Sequence, residues 1–199
     1  MLANVNRRLG RLDEARVQYE EVLGITRAIL SPDSIISALM GLGRVCALQG
    51  DDDSAITHLV DALTMAQERN VPVRIPHIAE ELIYMYLSGG DISRAHEYFG
   101  VLVASARALN APPLHAKAVL IGAVLWHNDG LSEQAASWAG LLADHVQYLD
   151  PSRYQQLREA LEAELGAARY SQLAEAGRQR DLRTAVEEIS AMRDGCKRI

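Results

Sequence analysis

Three consecutive carboxylates, Asp51, Asp52 and Asp53, stand just ahead of His58, and together they pose the first chemical question of this chain. Carboxylate oxygens and an imidazole are donors that divalent cations accept. A calcium loop, however, ends on a glutamate at its twelfth position, and counting from Asp51 that position is Ala62. The other five histidines, His77, His96, His115, His127 and His145, are scattered without the paired spacing of a metal site. Glu159, Glu162 and Glu164 form the densest acidic stretch and read as a solvated helix face rather than a pair of catalytic carboxylates. The chain has no G-x-x-x-x-G-K-[ST], no H-E-x-x-H and no G-x-S-x-G. The residues therefore predict neither an enzyme nor a bound cofactor or metal, and the function to look for is binding.

Composition narrows the kind of binding. A formal charge of −6 without a dense Lys/Arg block is wrong for gripping a phosphate backbone, so direct nucleic-acid binding is not expected. Aromatics make up only 5% of the chain, which leaves a core of Ala, Leu, Val and Ile and favours helix over sheet. Cys46 and Cys196 lie too far apart for a disulfide framework or a zinc knuckle, which implies a reducing, cytoplasmic setting. No apolar run reaches membrane-spanning length, so no membrane partner is expected.

The elements that must position any site follow a clock. Gly10, Gly50, Gly90 and Gly130 recur forty residues apart, and five residues after each comes Ala15, Ala55, Ala95 or Ala135. Pro32, Pro72 and Pro112 keep the same period, and Pro76, Pro113 and Pro151 also fall at or near junctions. Glycine suits the left-handed conformation that ends a helix, proline suits the first turn of the next one, and alanine lets two helices approach. Between these marks the apolar spacing is helical: Ala95, Phe99, Leu102, Val103 and Ala106 form one stripe, and Ala15, Tyr19, Val22, Leu23 and Thr26 form its counterpart. Each unit reads as a helix, a glycine turn, a second helix and a proline-marked return.

These columns resemble tetratricopeptide (TPR) repeats. That motif has Leu eight residues before the turn glycine, filled here by Leu2, Leu42 and Leu82, with Gly122 as the departure. It has Ala five after the glycine and an aromatic nine after, where Tyr19 and Phe99 fit and Leu59 and Ala139 do not. Gly43 and Ala62 match small-residue columns, and Tyr86 and Trp126 match the aromatic four before the glycine. The usual unit is shorter, about 34 residues. The resemblance implies an all-α, right-handed TPR-like solenoid of antiparallel helix pairs. It has about four forty-residue units over residues 1–150, the first truncated at its N-terminus, and C-terminal capping helices and a tail over 151–199.

Both ends add expectations. Met1 stands nine residues before its turn glycine, so the opening helix is expected to lack its N-terminal part, as in a piece of a longer protein or in a chain whose raw edge something else covers. After Asp150-Pro151 the clock stops, and two or three short helices are expected, with Gly166 and Gly177 as breaks and with Asp150 or Ser152, and Asp181, as caps. The pattern Leu165-Gly166, Tyr170, Gly177, Leu182, Ala185-Val186 is similar to the C-terminal tail of bacterial STAND-class and LuxR-type regulators, which place a TPR-like array after an ATPase domain.

The resemblance implies a protein- or peptide-binding interaction or sensor module, the C-terminal region of a larger bacterial transcriptional or signalling regulator. The alternatives are a free-standing scaffold or oligomerisation module, or the ligand-binding part of a peptide-pheromone receptor. Partners would be a protein or peptide, other domains of the same protein, or a second copy in a homo-oligomer. In TPR proteins the groove-facing residues lie thirteen, ten, six and three before the turn glycine. Carried over, these offsets select Asn4, Arg7, Ser37, Met40, Arg44, His77, Glu80, Tyr84 and Leu87, and further along Lys117, Leu120, Val124 and His127. Of these, Arg7, Met40, Arg44, His77, Glu80, Tyr84, Lys117, Leu120 and His127 are the candidate groove.

The repeat also disposes of the aspartates. Gly50 ends a helix, Asp51 matches Asp91 as a cap, and Asp53 matches Asp13 near a helix N-terminus. Asp52 alone is odd, because Leu12 and Ile92 hold its column. An exposed Asp52 predicts that Asp52→Leu keeps thermal stability within about 0.5 kcal/mol of wild type or raises it. A loss above about 1 kcal/mol would show that the carboxylate holds a partner.

Overall fold

A left-handed glycine reverses the chain every forty residues: Gly10, Gly50, Gly90 and Gly130 have φ of +76°, +79°, +77° and +80°. The computed structural model describes residues 2–28 and 31–196, without the side chains of 26–28 and 193–196. Met1 and the side chains of Thr26 and Cys196 lie outside the described residues. Among those described, every regular element is helical, and the chain divides into two compact units, Met1–Gly89 and Gly90–Ile199.

Unit 1 holds α1 (Leu2–Arg8), α2 (Leu12–Ala28), α3 (Pro32–Leu48), α4 (Asp52–Glu68) and α5 (Ile75–Ser88), each packed on the next. The turn between α3 and α4 shows why the sequence folds this way. The Asp51 N–H reaches back to the Cys46 carbonyl at 2.9 Å, and the Asp51 carboxylate accepts the Ser54 N–H at 3.2 Å. Helix-end donors and acceptors are thereby satisfied on both sides of Gly50. Asp53 and the odd Asp52 are exposed in the first turn of α4. Ala15 and Ala55 are fully buried at the helix contacts. Glycines set the closest approaches: a methyl on Gly41 would meet the Tyr19 ring at 2.2 Å, and one on Gly43 would meet Leu59 at 2.9 Å.

Two expectations need correction here. Pro72 keeps the forty-residue period but lies outside a helix, whereas Pro32 and Pro112 open α3 and α7. Had a helix begun at Pro72, Pro76 would stand four residues inside it, its ring against the carbonyl of residue 72 and its N–H missing. The helix starts instead at Ile75, with Pro76 in its first turn. Val22, placed in the apolar stripe of α2, is exposed, because no described helix covers its face.

Unit 2 holds α6 (Ile92–Leu109), α7 (Pro112–Asn128), α8 (Ser132–Leu142), a 3-10 helix over Ala143–Tyr148, α9 (Pro151–Leu165), α10 (Ala167–Arg178) and α11 (Leu182–Cys196). Its aromatic centre is Trp126, edge-on to Phe99 and Trp138 with ring centroids 5.6 Å from each. Asp150 caps α9 by accepting the Ser152 N–H at 2.9 Å, and Asp181 caps α11 by accepting those of Arg183 and Thr184 at 2.9 and 3.0 Å. Gly166, at φ +79°, separates α9 from α10.

Gly177 is not a break; it lies inside α10, where that helix crosses α8 at backbone contact. A methyl on Gly177 would fall 1.8 Å from the Ser137 carbonyl oxygen, and one on Gly140 would fall 1.9 Å from that of Ala174. The last helix, α11, packs on α6 and α7. Its Ile189, with Phe99, fills the space beside Gly122, which explains why glycine replaces leucine in that column. Between them these neighbours leave α7 buried on nearly every side.

The crossing yields a paired test. Gly177→Ala should cost about 2–3 kcal/mol in thermal unfolding, because the methyl meets backbone that cannot step aside. Gly24→Ala, in α2 with nothing near a new methyl, should gain about 0.5–1 kcal/mol from helix propensity. Equal effects at the two positions would contradict the close crossing.

Candidate functional site

The groove offsets in unit 1 fall on α1, α3 and α5, and these three helices bring charge together at one point. Arg44 of α3 reaches Glu81 of α5, with Nε 3.0 and 3.1 Å from the two carboxylate oxygens and Nη2 also donating to Oε1. Glu81 is the more enclosed partner, with its side chain 22% exposed against 40% for Arg44. Burial pushes its carboxyl above the ordinary glutamate range. The Arg44 hydrogen bond and charge pull it back without cancelling that push, Glu80 adds to the push, and Arg7 of α1 pulls against it. Arg7, Arg44 and Glu80, three residues selected from sequence, therefore act on one half-enclosed carboxylate.

The remaining candidates of unit 1 divide. Arg7 Nε is buried without a hydrogen-bond acceptor among the described residues. Tyr84 is half-buried one turn beyond Glu81, and His77 is exposed at the start of α5. Met40 is buried as part of the core, so its side chain is not displayed as an anchor. Asn4 is already engaged, its amide oxygen accepting the Tyr19 hydroxyl at 2.7 Å.

In unit 2, Leu120 is likewise buried in the core, while Lys117 and His127 are half-buried on α7. His127 Nδ1 lies 3.0 Å from Ser132 Oγ and 3.3 Å from Glu164. The trio has the residue types of a hydrolase triad but not its wiring. One imidazole nitrogen faces both serine and carboxylate, and Ser132 Oγ donates directly to Glu164 at 2.8 Å. Two other histidines of unit 2 are tied into structure too: His96 pairs with Asp129 at 2.8 Å, and buried His115 meets the Ala106 carbonyl at 3.1 Å. Among the described residues no group of three His, Cys, Asp or Glu is placed to hold a metal. A cavity of about 270 Å³ between α8, α9 and α10 is bordered by Arg158 and Arg178, each paired within its own helix, to Glu162 and Glu175.

Sequence reasoning selected Glu80 and missed Glu81. The signal was available, because Glu81 occupies the column held by Gly41 and Ile121, both buried. A charge in an otherwise small or apolar column is a stronger cue than position along a presumed groove.

The pair predicts an asymmetry. A folded-state carboxyl above its ordinary value means that ionised Glu81 costs stability at neutral pH, and that this cost is relieved as pH falls through the raised value. Glu81→Gln should therefore unfold at or slightly above the wild-type temperature at pH 7. Arg44→Ala leaves the half-enclosed carboxylate without its partner and, because both groups keep some solvent, should cost about 1 kcal/mol. The double variant should recover most of that loss, and a double variant as unstable as Arg44→Ala would contradict the assignment.

Comparison with known proteins fits this geometry. Residues 1–68 match the tetratricopeptide repeat family. The crystal structure of BtubC (BKLC) from P. vanneervenii superposes with a TM-score of 0.72 at 20% identity, covering 98% of this chain and 79% of that one. The putative kinesin light chain of Podosopora anserina, with nearly identical TPR-like repeats, superposes at 0.65 and 21% identity, covering 96% and 92%. No curated protein matches the sequence. The chain thus has the all-α, TPR-like solenoid fold, and residues 1–68 are recognisable as tetratricopeptide repeat by sequence as well.

Proposed function

We propose that the chain is a protein- or peptide-binding module whose partner docks on the α1, α3 and α5 wall of unit 1. The observation that carries the reading is the convergence of Arg7, Arg44 and Glu80 on Glu81. Elsewhere α3 is apolar on nearly every side, so a charged cluster beside it is a cost that hydrophobic residues would avoid. A partner carboxylate would find two guanidinium groups already held by packing. Arg7 Nε lacks an acceptor, and Arg44 could exchange Glu81 for the ligand. His77 and Tyr84 extend the same helix face on α5 and would orient an extended peptide or a docked helix. Lys117 and His127 are the corresponding polar positions of unit 2, with Met40 and Leu120 supporting from the core.

The finer reading makes this the interaction or sensor region of a bacterial transcriptional or signalling regulator, whose other domains are partners as well. It rests on the forty-residue repeat and on the likeness of the 165–186 pattern to STAND-class tails. Its mechanism would be a difference in affinity between two docking states of the module, reported by neighbouring domains.

Display of random peptides against the purified chain should enrich sequences carrying an acidic side chain. Arg44→Glu and Arg7→Glu, checked for native helicity, should each weaken the selected peptide tenfold or more, about 1.4 kcal/mol, and Tyr84→Ala should weaken it less. Unchanged affinity in both charge reversals would remove this wall from the account. A P-loop domain encoded upstream in the same reading frame is the expected genomic context of the regulator reading; an independent start signal at Met1 would count against it.

A further inference from the structure

Four basic side chains border one cavity of unit 2, although the chain as a whole carries a net charge of −6. The cavity has a volume of about 410 Å³, within the range of small-molecule sites. Three segments distant in sequence wall it: the start of α7 with His115, the 3-10 helix with His145, and the α10–α11 turn with Arg180 and Arg183. Asp181 is the only carboxylate on the lining, and it is already spent on capping α11. It accepts the Arg183 and Thr184 N–H groups and, at 3.4 Å, the Thr184 hydroxyl. The lining is therefore one-sided in charge.

Its basic groups also keep hydrogen-bonding capacity that the fold does not use. Every other arginine of unit 2 with a described side chain, from Arg94 to Arg180, holds a carboxylate, whereas Arg183 holds none among the described residues. Arg180 gives Glu188 only its Nη2, at 2.6 Å, which leaves the rest of its fork open. His115 is 5% exposed, and its Nε2 lies 3.1 Å from the Ala106 carbonyl, so that nitrogen carries the proton. Its Nδ1 has no hydrogen-bond partner among the described residues. A buried ring nitrogen of this kind becomes a donor to a ligand oxygen once the imidazole is protonated. His145 stacks on Tyr148, with ring centroids 6.4 Å apart, and forms no hydrogen bond among the described residues.

We propose that this cavity binds the phosphoryl group of a small phosphate monoester. Two guanidinium groups match a phosphate dianion in charge and in fork geometry, and a single carboxylate would leave one of them unmet. Pro112 and the buried Leu182 give the cavity an apolar side for the organic part of the ligand. Bound there, the ligand ties α7 and the 3-10 helix to α11 and stabilises the folded chain by mass action. The site shares no residue with the α1, α3 and α5 wall, so the two readings stand or fall independently.

The test is isothermal titration of the full chain at pH 7 and constant ionic strength with phenyl phosphate, inorganic phosphate and acetate. Phenyl phosphate should saturate a single site with a Kd below about 1 mM. Inorganic phosphate should bind about tenfold more weakly, and acetate should not saturate. Arg183→Ala and His145→Gln, both outside the core and checked for native helicity, should each weaken phenyl phosphate about tenfold or more. Arg169→Ala, at an exposed arginine outside the lining, should leave its affinity unchanged. Absence of saturable binding overturns the proposal, and so does an equal loss in Arg169→Ala, which would mean attraction to surface charge alone. Unchanged affinity in both Arg183→Ala and His145→Gln overturns the placement of the site. Acetate or inorganic phosphate bound as tightly as phenyl phosphate overturns the monoester assignment.

Discussion

Contact between helix backbones at small residues is the constraint from which the rest of this structure follows. At Gly41 the ring of Tyr19 lies where any side chain would stand, and at Gly122 Phe99 and Ile189 come within 3.1 and 3.2 Å of where a methyl would be. At Gly140 and Gly177 the opposing atoms are backbone itself. Helices this close share dense packing with little room for water, and α3 and α7 become enclosed on nearly all sides. The glycines and aromatics are reciprocal choices. Tyr19 and Phe99 each face a glycine on the following first helix, Gly41 and Gly122.

That enclosure raises the stakes for polarity. A carboxylate between packed helices loses hydration that a half-exposed arginine replaces only in part, and its raised proton affinity records the difference. The surface pairs are another matter. Arg74 holds Asp33 at 2.8 Å, with the Asp33 carboxyl drawn below its usual range by that hydrogen bond, and Arg169 holds Glu133 at 2.8 Å. Both are well hydrated and contribute little. The Arg44–Glu81 contact is thus an expense that packing does not require. Beside it lies Arg7, whose buried Nε has no acceptor among the described residues, and it is on these two features that the proposed binding wall rests.

Much of the fold was legible because it repeats. A left-handed turn every forty residues, buried alanine after it and aspartate caps at Asp51, Asp91, Asp150 and Asp181 all follow from local chemistry that a single sequence displays. Other features arise only from contacts between distant segments. Gly177 looks like a helix breaker until α8 is seen against it, and Gly122 looks like a defect until Ile189 arrives from 67 residues away. The start of α5 turned on two prolines excluding one another from the same helix. The candidate site divides: the offsets select Arg7, Arg44 and Glu80, which lie around Glu81, but also Met40 and Leu120, which are buried in the core. Offsets borrowed from a repeat locate a helix position, whereas exposure depends on how tightly the neighbours close.

The most direct check is the titration of the Glu81 carboxyl, followed by carbon-13 chemical shift in the folded chain and assigned with Glu81→Gln. A midpoint well above the ordinary glutamate value of about 4.3 is the predicted result, with a further rise in Arg44→Ala. A midpoint at or below that value would show that the pair stabilises the fold outright, and the case for a wall held ready for a partner would fail.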